Sequence, residues 1–212
     1  MPDDKLLITA FPAFSSHPNN VSEDVLNILS GMSPASLKIQ TDLLSVDKQG
    51  TCLISQRIQD GVRYRGIIHL GLAANRDRIN LERVANNLIV MSEPDNSGRL
   101  IESKQIETDG PPNLETTAPI HILDEEFEHD DFVEWSMNAG GFVCNETYYR
   151  TLYALDETDN SDTPAIFVHL PPAELISVEK QVEIVMKIAE SMVLRPTYDV
   201  VAALLFDCLL YT

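Results

Sequence analysis

Leu6-Leu7-Ile8-Thr9-Ala10-Phe11 is a compact apolar run cut off by Pro12. A run this short, apolar on both faces, has the pattern of a strand buried on both sides. Ser22-Glu23-Asp24-Val25-Leu26-Asn27-Ile28-Leu29 follows, with a capping residue and acids at its start and Gly31 just past its last apolar position. Those signals predict a short helix capped by Ser22. Residues 37–46 then read as a second strand, and residues 52–59 are open between a short helix and a strand. Gly66-Ile67-Ile68-His69-Leu70-Gly71 is another buried strand, ended by a glycine turn. Strands alternating with helices predict an α/β fold: an open, twisted, mostly parallel sheet with helices on both faces.

The rest of the chain extends this pattern. Residues 81–90 fit either helix or strand, with asparagines favouring an irregular lead-in. Residues 92–115 are rich in Pro, Gly, Asp and Asn. They predict an excursion outside the main sheet, either ordered or a mobile flap. Residues 123–131 are acidic and helical in pattern, and residues 132–136 read as a strand. An amphipathic helix over 146–155 opens just after Cys144. Ala165-Ile166-Phe167-Val168-His169 reads as a strand. The clearest helix spans 178–194, with Val182, Val185, Met186, Ala189 and Val193 on one face and Pro196 closing it. The apolar segment 200–210 suits a terminal helix or an oligomer interface. With no repeat and no internal boundary, residues 1–212 are expected to form one domain.

Charge and cysteine usage narrow the function. The formal net charge is −18, which repels phosphate backbones and anionic lipids, so neither nucleic acid nor membrane is an expected partner. Cys52, Cys144 and Cys208 are widely spaced and form no CxxC, so neither a disulfide framework nor a zinc knuckle is supported. The charged start Met1-Pro2-Asp3-Asp4-Lys5 is no secretory signal, and no apolar run is long enough to span a bilayer. The expectation is a cytoplasmic protein.

One thiol stands out. Asn138-Ala139-Gly140-Gly141-Phe142-Val143-Cys144-Asn145 presents Cys144 after a turn of small residues, just ahead of the expected helix start. Helix-start N–H groups favour a thiolate and can also receive the oxyanion of a tetrahedral intermediate. His169 ends a strand, where functional groups of open α/β sheets gather, and can take the thiol proton. Set against this, Cys144 also fits a small buried hydrophobe, and His169 a structural histidine. Of the other histidines, His69 reads as core, while His17, His121 and His129 lie in polar or loop contexts and read as exposed. Glu82 can hold an imidazole in one tautomer. A surface pair with Arg83 or Arg78 fits it equally, and no local argument singles it out.

Four blocks resemble the pyroglutamyl-peptidase I family of cysteine peptidases. The first is Phe11-Pro12-Ala13-Phe14 with His17-Pro18-Asn19. The second is His69-Leu70-Gly71-Leu72-Ala73 followed by residues 79–86. The third is Pro94-Asp95-Asn96 with Gly98 and Gly110-Pro111. The fourth joins Ala139-Gly140-Gly141-Phe142-Val143-Cys144-Asn145 to Phe167-Val168-His169-Leu170-Pro171. The resemblance implies Cys144 as nucleophile, His169 as base and Glu82 as acid. It also implies Phe11, Phe14, Phe142 and Val143 around a lactam pocket, peptides with N-terminal pyroglutamate as substrates, and a homo-oligomer, tetramer or dimer. It calls for no metal or organic cofactor. Apolar walls suit the methylenes of an uncharged five-membered lactam.

The chain departs from the family pattern in three places. Ser15-Ser16 stand where the family is glycine-rich. Leu72 stands where many members have Gln, and Met91-Ser92-Glu93 where an Arg usually precedes the Pro-Asp-Asn block. The departures motivate two alternatives: a diverged member that binds blocked peptide N-termini or lactams with little turnover, and an amidase on another lactam-like substrate.

Overall fold

The computed structural model describes residues 5–14, 17–32, 34 and 37–193. Strand β1 (Lys5–Ala10) is followed by helix α1 (Val21–Ser30), β2 (Lys38–Leu43), α2 (Lys48–Gln59) and β3 (Gly66–Leu72). Then come β4 (Ile79–Glu82), β5 (Val84–Asn86), β6 (Asn113–Glu115), α3 (Ile120–Phe127), β7 (Val133–Ser136), α4 (Val143–Glu157), β8 (Ala165–Leu170) and α5 (Val178–Val193). Six strands form the main sheet in the order β2-β1-β3-β8-β4-β7. Neighbours run parallel except β4 against β8, which is antiparallel. The expected mostly parallel α/β sheet is the observed architecture.

Side-chain alternation sorts the core into two layers. Ile68 and Leu70 of β3 and Ile166, Val168 and Leu170 of β8 face one layer, which contains Val25 and Leu29 of α1 and Ile184, Val185 and Ile188 of α5. Ile67, Ala165 and Phe167 face the other, against Ile54 and Ile58 of α2 and Tyr148, Leu152 and Leu155 of α4. Both sheet faces are therefore covered, which is why β1, β3 and β8 are buried on both faces and mostly apolar instead of alternating.

Several local expectations change. The α1 cap is Asn20, whose side chain accepts from the Ser22 N–H, while Ser22 is buried inside the first turn. Residues 52–59 belong to a helix because Asp47 caps it, accepting from the Gly50 N–H at 2.9 Å. Residues 81–90 divide between two sheets. Glu82 ends the main-sheet strand, and Val84 turns away to pair with Glu115. Residues 92–115 are an ordered excursion. Asn87 holds it with four bonds, accepting from the N–H groups of Ile106 and Glu107 and donating to the carbonyls of Glu107 and Gly110. Helix α4 begins at Val143, so Cys144 lies inside its first turn and not ahead of it. Residues 194–212, with Pro196 and the apolar segment 200–210, lie outside the described residues.

Candidate active site

The start of α4 is built from the turn that precedes it. Asn138 Oδ1 accepts from the Gly140 N–H at 3.0 Å, and Gly140 has φ of 84°, a left-handed conformation that a glycine adopts without strain. Val90 N–H donates to the Gly141 carbonyl at 2.8 Å, fixing the turn to the residues that lead into the excursion. Phe142 is the N-cap, extended and without a side-chain acceptor for the helix. The first-turn N–H groups beside Cys144 are thus left to other acceptors, and they favour negative charge.

The two residues after the thiol anchor the helix in different directions. Asn145, fully buried, accepts from the Asn86 N–H and donates to the carbonyls of Asn86 and Leu88, each at 2.9 Å. Glu146, also buried, pairs with Lys48 of α2 at 2.9 Å, Arg99 of the excursion at 2.8 Å and Arg150 at 3.1 Å. Burial pushes the Glu146 carboxyl up, but bonds and charges from Arg99 and Lys48 outweigh it and hold the group below its ordinary value.

His169 and Glu82 meet on the α4 side of the sheet. His169 Nδ1 lies 2.7 Å from Glu82 Oε1, and the carboxylate is fully buried. With Glu82 ionised, its oxygen accepts the Nδ1 proton, so in a neutral imidazole Nε2 carries the lone pair. Neither Arg83 nor Arg78 is Glu82's ion-pair partner. Arg76 Nη1 donates to the same Oε1 at 2.6 Å, and its Nη2 donates to the Asn138 carbonyl at 2.8 Å. Burial raises the Glu82 carboxyl, yet the bond and charge of His169, the Ser136 hydroxyl and the Arg76 charge bring it below its usual range. Tyr148 of α4 donates to the Glu82 backbone carbonyl at 3.0 Å.

Gly71 is where the thiol approaches this pair. Its Cα is paired with that of His169 across the β3–β8 ladder. A Cβ on Gly71 would stand 3.0 Å from Cys144 Sγ and 2.9 Å from the Phe167 ring. The sulfur therefore rests on bare backbone beside the His169 position. Burial first, then the Glu82 charge, pushes the thiol up to about 12, partly opposed by its own backbone N–H and by Arg76. A thiol held this high needs a base to become nucleophilic.

The four residues proposed for the lactam pocket divide by depth. Phe11 and Val143 are buried in the second core layer, and the half-buried Phe14 and Phe142 pack on that layer together with Cys144. The Phe14 and Phe142 rings are 5.9 Å apart. His17 is half-buried, not an exposed loop histidine, because its ring stands 5.0 Å from that of Phe14 and its backbone exchanges two hydrogen bonds with it. His69 is a core residue, between the hydroxyls of Thr9 at 2.7 Å and Thr151 at 3.0 Å. Among the described residues, no cluster of three His, Cys, Asp or Glu side chains could hold a metal ion.

Residues 4–203 match the family profile described as pyroglutamyl peptidase. The chain belongs to this family. It is 31% identical over 173 residues to the pyrrolidone-carboxylate peptidase of Thermoanaerobacter sp., covering 79% of this chain and 82% of that one. It is 29% identical over 168 residues to the Deinococcus radiodurans protein of the same name, covering 78% and 77%. Two solved structures share the fold. A mutant pyrrolidone carboxyl peptidase from Pyrococcus furiosus has a TM-score of 0.81 at 25% identity, over 90% of this chain and 99% of that one. The enzyme from Fervidobacterium islandicum has a TM-score of 0.79 at 28% identity, over 89% and 97%.

In this pyroglutamyl peptidase chain, two family departures acquire a place. Leu72 packs with the first core layer, whereas Cys144 packs with the second. Ser92 is exposed, and the cation beside the buried acid is Arg76, from a different loop. Sequence reasoning missed Arg76, Gly71, Asn145 and Glu146. Gly71 and Asn145 stood inside the quoted blocks. Arg76 and Glu146 carried no local signal apart from a charge.

Proposed function

We propose that the chain is a cysteine peptidase that removes N-terminal pyroglutamate from peptides, acting as one cytoplasmic domain. The observation that carries the reading is the Glu82–His169 pair at 2.7 Å, beside the glycine on which the Cys144 sulfur rests. His169 takes the Cys144 proton, and the thiolate attacks the carbonyl between pyroglutamate and the next residue. The carbonyl oxygen becomes an oxyanion facing the open N–H groups of α4. His169, held in one tautomer by Glu82, returns the proton to the leaving amine, and the C–N bond breaks. Water, deprotonated by His169, then cleaves the thioester and releases pyroglutamate. The reaction balances with water as its one co-reactant.

The lactam lies in this reading between Phe14 and Phe142, with Phe11 and Val143 forming the apolar floor. An uncharged ring suits such walls, and a free N-terminal ammonium would lose its hydration there without gaining a partner. The test is mass spectrometry of a pyroglutamyl peptide incubated with wild type and Cys144→Ala. Wild type should release a product shortened by one residue, and the variant none. Equal cleavage by both would refute the assignment.

A further inference from the structure

We propose that Arg76 is a positioning residue: one guanidinium that locks the Glu82 carboxylate and the turn leading to Cys144 to each other. The inference rests on reading Cys144 and His169 as the reacting pair. Arg76 lies in the connection between β3 and β4, where its backbone N–H closes a turn onto the Ala73 carbonyl at 3.1 Å. Its two terminal nitrogens go to two different parts of the site. Nη1 donates to Glu82 Oε1, the atom that also meets His169, and Nη2 donates to the Asn138 carbonyl. The Asn138 side chain in turn holds the Gly140 N–H in the turn before α4. A planar fork spans both acceptors at once, whereas a lysine reaches one. The imidazole, its acid and the thiol's own turn therefore share one rigid connector.

The same guanidinium sets the local charge balance. The titratable groups facing Glu82 among the described residues are His169 on β8, Cys144 and Tyr148 on α4, and Arg76 itself. Without Arg76, the buried carboxylate acts on the thiol and the imidazole uncompensated. Removing a positive charge makes every nearby proton harder to lose. Both the thiol limb and the imidazolium limb of a pH profile must then move to higher pH. A residue that merely supported the fold would lower stability and leave the limbs in place.

The experiment compares wild type, Arg76→Met and Arg76→Lys in two pH series: kcat/KM on a pyroglutamyl substrate, and the rate of Cys144 alkylation by iodoacetamide. Arg76→Met should shift both limbs upward by about 0.5–1 pH unit, because Arg76 is partly exposed and solvent screens it. Its kcat should fall with KM little changed, since Arg76 bonds Glu82 and Asn138 and is not one of the proposed lactam walls Phe11, Phe14, Phe142 and Val143. Arg76→Lys keeps the charge but loses one of the two bonds, so its limbs should stay near wild type while kcat drops about tenfold. Limbs of a folded Arg76→Met that coincide with wild type overturn the proposal. Should Arg76→Met fail to fold, Arg76→Lys decides: wild-type kcat overturns the connector. Alkylation reads the thiol directly. A wild type inert toward pyroglutamyl peptides, with alkylation limbs that still shift, would refute the substrate and uphold Arg76.

Discussion

The bare backbone at Gly71 explains why a side chain as small as a methyl group is excluded there. An alanine Cβ would stand 3.0 Å from the Cys144 sulfur and 2.9 Å from the Phe167 ring, so the ring or the sulfur must shift. Phe167 is fully buried and yields only at a cost, so the alanine strains the ring contact and displaces the sulfur as well. Gly71→Ala should therefore lower kcat and the alkylation rate together, by about 10- to 100-fold, because a displacement of an ångström costs that much in a positioned reaction. Thermal unfolding should show a loss of about 1–3 kcal/mol from overpacking against the ring, and unchanged alkylation would contradict the account. At this scale the sequence was partly readable. Cys144 and His169 could be argued from turn and strand-end chemistry. Glu82 could not, because 33 acidic residues offer too many candidates and its burial is decided by β4's place next to β8. Arg76 was invisible for a similar reason: its reach depends on which turn folds back over the strand ends.

The helix carrying the thiol is held by a side-chain amide and a buried carboxylate in successive positions. Asn145 satisfies one backbone N–H and two carbonyls of the segment 86–88. Asn145→Ala leaves those groups facing a hole that water reaches poorly. The expected cost is about 2–3 kcal/mol, read as a lower urea midpoint with an unchanged slope. A loss near zero would mean the helix start is held from elsewhere. Elements with strong periodicity were legible, as α5 and β8 illustrate. The segment 81–90 was not, because four residues of one sheet and three of another adjoin without a Gly or Pro between them. Helix α4 starts earlier than its amphipathic pattern implies. Its first residues, Val143 and Cys144, carry no helix-start signal, and its N-cap Phe142 makes no side-chain cap bond.

Across the whole molecule, several titratable groups link stability to acidity. His69 is buried between two threonines, and desolvation lowers its pKa from 6.5 to about 3. The unfolded chain binds this proton first as pH falls. Its contribution is therefore complete above about 6.5 and is lost on the way down to about 3. The slope approaches about 1.4 kcal/mol per pH unit for one proton. Glu82, Glu146 and Asp95 are held below their ordinary values, so their contributions are present above about 4.5 for the glutamates and 3.8 for the aspartate and are lost as pH falls from there. Urea midpoints should decline from pH 6.5 to 5, and His69→Gln, which cannot take up the proton, should flatten that decline. An identical slope in the variant would remove His69 from the account. The layered α/β class was legible from strand–helix alternation, but strand order was not, because apolar runs state burial and not neighbours. That order has a consequence for synthesis. Strand β8, the last of the described strands in chain order, sits between β3 and β4, which a short connection joins. The centre of the sheet is therefore incomplete until residues 165–170 have been made. If His169 is the base proposed above, a growing polypeptide lacks it until that last described strand has been made.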